Sequence, residues 1–293
     1  MKVQAQMGRR RTDDDGCRRY LPIALTFDTR AYILNTKIED DWEEDSRQQW
    51  TRNQRLMREA LLHEYGVQDG ERKIGDFAAM DAAPWSVVGP HNEVVTDVRR
   101  AFAAGSYYSA LLGAAGLGER ILNDLVLRLR TDYAGHPSTG NVAQKKSFND
   151  WNVMTQALRG WGVLDEGSAR SCAKFAKLRN DVVHYRSDRV REARGSALEA
   201  MNFLALLISH VFAPLGGPPR FIPGTTGHSF IALAAEKDPV VRHYFIPSCV
   251  LVSPEFEFRS SLDEVWDEQD YRAIYGVGEL SDEAFANRYG GKQ

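Results

Sequence analysis

Between His91 and Phe212 the chain repeats apolar residues at helical spacing in five successive segments, and this restricts it to folds in which long helices bury one face against each other. The segments are His91 to Ala104, Tyr107 to Asp132, Phe148 to Leu164, Ser168 to Tyr185 and Arg194 to Phe212. In the second, Tyr108, Leu111, Ala115, Leu122, Leu125 and Leu129 form one stripe; the fifth is apolar nearly all round. Gly135 to Gly140, with Pro137 between, breaks the run, so the spacing predicts a compact bundle over 91–214. Gly113, Gly116 and Gly118 lie inside a helix with no strand before them and no Lys-Ser or Lys-Thr after them. Close helix packing therefore accounts for them better than a phosphate loop.

The flanks read differently. Ile23, Leu25 and Phe27 alternate, followed by Tyr32, Ile33 and Leu34, which predicts two short strands over 20–35. An acidic cluster from Glu39 to Asp45 then opens a helix carrying Trp50, Gln54, Met57, Leu61 and Tyr65 and ending at Gly66. Gly75, Pro84, Gly89 and Pro90 make 70–90 an irregular connector. After Pro214, Gly and Pro cluster up to Gly224, and strands are expected over 229–235 and 248–258. The expected organisation is mainly α: a small α/β extension over 1–90, the bundle over 91–214, and an acidic, partly β appendage over 215–293.

A formal net charge of -3 gives no global attraction to polyanions or to anionic membranes, so charge must be read locally. From Glu255 to Arg288 acidic residues outnumber arginines ten to three, which excludes RNA binding there. From Arg170 to Arg194 the balance reverses, with eight basic residues against Asp181, Asp188 and Glu192. Arginine suits phosphate because its fork donates two parallel hydrogen bonds. Three widely spaced cysteines, Cys17, Cys172 and Cys249, suggest neither a disulfide framework nor zinc. Asp13-Asp14-Asp15 stands where a secretion signal would need apolar residues, so a reducing, cytoplasmic setting is expected. The apolar run Met201 to Leu215 is too short for a membrane span of roughly 20 residues and reads as a buried helix, so no membrane partner is expected.

Within the basic segment, Arg179, Asn180 and His184 stand beside Leu178, Val182 and Val183 at a packing edge. At about 100° per residue, Asn180 and His184 share a face while Arg179 and His184 diverge by about 140°. One straight helix therefore does not bring both onto one phosphate: either the helix frays before His184, or a two-fold interface completes the site.

Arg179-Asn180, three residues, then His184 resembles the Arg-polar-x-x-x-His signature of HEPN domains, helical bundles common in bacterial toxin, antiviral and CRISPR-associated ribonucleases. The resemblance spans roughly His91 to Phe212, with Tyr107-Tyr108 and Glu119-Arg120 on the preceding long helix. It implies a homodimer that cleaves tRNA or single-stranded RNA without metal or other cofactor, by attack of the ribose 2′-hydroxyl on the adjacent phosphate. A toxic nuclease of that kind needs restraint, from the acidic appendage after Leu215 covering the basic face or from a separate antitoxin or regulatory protein. Arg179, His184 and Asn180 would be catalytic; Lys174, Lys177, Arg186 and Tyr185 would contact RNA; Glu119 would orient Arg179 or His184. Histidine suits acid-base work because its ordinary pKa of about 6.5 keeps both forms available. The plainer alternatives are a half-buried His184, Arg179 paired with Asp181 or Asp188, Glu119 paired with Arg120 or Arg128, and a bundle that binds partners without catalysis.

Overall fold

The computed structural model describes residues 19–23, 28–144, 150–183, 192–225, 230–252 and 280–290. The protein is mainly α and divides into two compact units, Thr26–Val211 and Met1–Leu25 with Phe212–Gln293. The division falls near residues 26 and 212, not at the expected 90 and 214, because the helices preceding residue 90 pack among themselves and onto the bundle's first helix.

In the larger unit the described helices are α1 (Arg30–Asn35), α2 (Glu44–Tyr65), α3 (Gly70–Ala79), α4 (Gly89–Ala103), α5 (Tyr107–Leu129), α6 (Trp151–Gly160), α7 (Glu166–Val183) and α8 (Ala193–Phe212). α5 packs against α4, α6 and α7. It buries one long stripe: Leu111, Ala114, Ala115, Ile121, Leu122, Leu125, Val126 and Leu129 are all buried. Tyr108, expected in that stripe, is exposed at its margin. A Cβ at Gly113 would lie 2.8 Å from Val98, and one at Gly118 would lie 2.5 Å from the Phe175 ring, so these two glycines set the approach of α4 and α7. Gly116 faces open space, and packing does not account for it. α7 begins at Glu166, two residues before the expected Ser168, because the Asp165 carboxylate caps it by accepting from the Ser168 N–H at 2.6 Å. α8 is the one helix among the described residues long and apolar enough to cross a membrane, and half of that stretch is buried inside the protein.

Two expectations before residue 90 are corrected. Tyr32, Ile33 and Leu34 belong to α1, not to a strand. Asp28 takes the Arg30 N–H at 3.1 Å, and the Gln54 amide donates to the Ile33 and Thr36 carbonyls at 3.2 and 2.7 Å, so both helix ends are satisfied from outside the segment. The supposed connector 70–90 contains α3, which buries Ile74, Asp76 and Phe77. The Arg99 guanidinium donates to the Met80 and Asp81 carbonyls at 3.3 and 2.6 Å where that helix stops.

In the smaller unit, β1 (Arg19–Pro22) pairs antiparallel with β2 (Cys249–Val252), Arg19 opposite Val252 and Pro22 opposite Cys249. Of the expected strand 229–235, the described residues 230–235 make a single bridge, Phe221 to Ile231, because the chain turns at once: Asp282 accepts the Leu233 N–H at 3.1 Å and Ala232 accepts from Ala235 at 2.9 Å. Residues 253–258 of the other expected strand lie outside the described residues. Ile222, Phe230, Ala232 and Phe285 form a small core, to which Phe285 is delivered by the last helix, α9 (Asp282–Gly290).

Candidate functional site

The approach of α7 to α5 begins with Gly118. The Phe175 ring occupies the space above it and is held by Trp151 at 5.3 Å and Phe203 at 5.8 Å between ring centres. One residue beyond Gly118 on α5 and one turn beyond Phe175 on α7, Glu119 and Arg179 meet. Arg179 Nη2 donates to both Glu119 oxygens, at 3.3 and 3.1 Å, and the two side chains are 21% and 28% exposed, glutamate first. Arg179 thus falls on the stripe of α7 that buries Cys172, Phe175 and Ala176, and its partner is Glu119 and not Asp181. Glu119 reaches across to α7, while Arg128 pairs with Asp124 one turn away at 2.9 Å.

Asn180 is exposed, and its Oδ1 accepts from Arg179 Nη1 at 3.2 Å. The structure therefore gathers Arg179, Asn180 and Glu119. Lys174 and Lys177 are exposed on the opposite side of the helix, about 140° and 160° around from Arg179 at 100° per residue, and do not join it. His184, Tyr185 and Arg186 lie outside the described residues, as does Asp188. Among the described residues no three His, Cys, Asp or Glu side chains gather as a metal-holding group. Cys172 is buried, and burial pushes its thiol up to about 11, the opposite of an activated nucleophile. Tyr107 is committed within the protein: its hydroxyl donates to Asp76 and its ring packs on Phe102 at 5.2 Å.

Sequence reasoning missed that second cluster. The Asp76 carboxylate, 2% exposed, receives Arg72 Nη1 at 2.8 Å, the Tyr107 hydroxyl at 2.6 Å and Arg194 Nε at 2.8 Å. It joins α3, α5 and the first turn of α8, where Arg194 is the last residue of the basic segment. The only signal in the sequence was a lone aspartate beside apolar Ile74 and Phe77, with its α8 partner 118 residues away.

No protein-family model, curated protein or solved structure matches the chain.

Proposed function

We propose that the protein is a metal-independent endoribonuclease of the HEPN type, active as a homodimer, with Arg179, Asn180 and His184 as its reacting groups. One observation carries the reading: Glu119 holds the Arg179 guanidinium from a neighbouring helix, with Asn180 bonded beside it, at the end of α7 that runs into His184. A carboxylate that fixes a guanidinium preorganises it for the charge that builds on phosphorus, provided the site remains open to RNA. His184 of one copy takes the 2′-hydroxyl proton, the 2′-oxygen bonds to phosphorus, and the bond to the 5′-oxygen breaks. A second, protonated His184 gives its proton to that leaving oxygen, so the products are a 2′,3′-cyclic phosphate and a 5′-hydroxyl. Arg179 and Asn180 hold the phosphoryl oxygens. On this reading the setting is one of growth control or phage defence, with the acidic appendage or a partner protein as the restraint.

A second reading has its own observation. Arg179 lies on the packing stripe of α7 with its charge already met by Glu119, as a helix-joining ion pair requires. The bundle would then bind a partner without cleaving RNA. Incubating purified protein in EDTA with total tRNA and with mixed-sequence single-stranded RNA separates the two. Cleavage by wild type, abolished in folded His184→Ala and Arg179→Ala, supports the nuclease. Unchanged cleavage in either variant removes that residue from the chemistry, and no cleavage by any of the three favours the binding module.

A further inference from the structure

Asp76 carries one negative charge almost wholly withdrawn from water and holds two guanidiniums, so the cluster has a surplus of one positive charge. The two arginines are used differently. Arg72 is turned toward the protein: besides Asp76 it donates to the Tyr107 hydroxyl at 3.2 Å and to the Ala103 and Ala104 carbonyls at 3.5 and 3.4 Å, where α4 ends. It neutralises the negative end of that helix. Arg194 spends its Nε on Asp76 and stacks its guanidinium over Phe102 at 5.8 Å, yet its side chain is 49% exposed. Bonding at Nε and stacking on a ring fix the plane of the guanidinium. The edge formed by its two terminal nitrogens is the one that donates in parallel to a phosphate.

The surroundings also favour an anion. Tyr107, which bonds Asp76, is the first residue of the 23-residue α5, and that helix has no acidic residue in its first turn and no side-chain cap from Ser106. That end of the helix supplies no negative charge from its own first turn to oppose an incoming anion.

We propose that Arg194, oriented by the buried Asp76, is a phosphate-contacting residue at a second recognition point, binding the sugar-phosphate backbone of single-stranded RNA away from the scissile bond. The identity of the ligand rests on the endoribonuclease reading; the orientation of Arg194 does not. Two guanidiniums on one buried carboxylate hold like charges together, and an incoming phosphate would offset the repulsion between them.

The test uses a fluorescent single-stranded oligonucleotide with every ribose 2′-O-methylated, which cannot be cleaved by 2′-hydroxyl attack. Its affinity is measured by anisotropy over a range of NaCl for wild type, Arg194→Met and Arg194→Lys. Loss of one phosphate contact in Arg194→Met lowers affinity about tenfold at low salt and reduces the slope of log K against log salt by about 0.7. Arg194→Lys keeps the slope but recovers only part of the affinity, because it keeps the charge and loses the fork. Wild-type affinity and slope in Arg194→Met overturn the proposal, as does absence of binding by the wild type. If Arg194→Met does not fold, wild-type affinity in folded Arg194→Lys overturns it. A wild type that binds the probe through Arg194 yet cleaves no RNA retains the contact and removes the nuclease.

Discussion

At the scale of single residues, His91 ties stability to pH. Its Nδ1 lies 3.1 Å from the Ser86 hydroxyl at the start of α4, and burial pushes its pKa down to about 4 against the opposing pull of Asp124. The unfolded chain, with an ordinary histidine near 6.5, takes up the proton first as pH falls. Stability is therefore lost from about pH 6.5 downward and the loss levels off below about 4, reaching about 3 kcal/mol. Urea unfolding at intervals across that window should show the slope in wild type and a reduced one in His91→Asn; equal slopes would remove His91 as its source. Two glycines of α5 make a matched pair at the same scale. Gly118→Ala drives a Cβ into a Phe175 ring that Trp151 and Phe203 prevent from yielding, and should cost about 1–3 kcal/mol. Gly116→Ala meets nothing and should gain up to about 1 kcal/mol from helix propensity. Thermal melts that rank the two variants in the other order would contradict the packing described. Glycines inside a helix were readable as close contacts from the sequence, but which of them make contact depends on residues 15 and 57 positions away.

At the scale of elements, legibility followed where each helix finds its stabilisation. α4, α5, α7 and α8 bury long stripes of their own residues, so periodicity alone outlined them, with ends displaced by caps such as Asp165. α1 and α3 are short, and what makes them helical lies elsewhere in the chain, in Gln54 and Arg99. α9 is an extreme case. Its first residue, Asp282, pairs at 3.1 Å with Arg19 of β1, a side chain with no exposure, and also accepts the Leu233 N–H; Arg19 in turn donates to the Leu280 carbonyl and stands 5.2 Å from the Phe285 ring. No local pattern signals a contact 263 residues apart. Asp282→Ala removes the carboxylate from a buried guanidinium that keeps the Leu280 carbonyl and the Phe285 ring, so it should cost the smaller unit about 1–3 kcal/mol. Hydrogen exchange should then lose protection across 282–290 before the helices of 30–211 change. Retained protection there would show that Phe285 packing alone holds α9.

At the scale of the whole molecule, the candidate site was legible only in part. Arg179 and Asn180 were apparent as polar residues at a packing edge, and Glu119 was a candidate partner, because all three lie on helices whose faces can be computed. Asp76 and Arg194 were not, since their pairing exists only once α3 and α8 have been brought together. The same geometry bears on oligomeric state. Arg179 points to the α5 side of α7, and Lys174 and Lys177 point away from it, so a single copy does not surround one phosphate with these groups. If the proposed nuclease completes its site across a two-fold axis, its activity belongs to the pair. Specific activity should then fall on dilution through the dimer dissociation range, and a tenfold excess of His184→Ala, allowed to exchange subunits, should depress wild-type cleavage by drawing wild-type chains into mixed dimers. A monomeric nuclease would keep its specific activity on dilution and ignore the added variant. Sedimentation at the same concentrations distinguishes a lost dimer from an inactive one, because only in the former does the loss of activity track the appearance of the single chain.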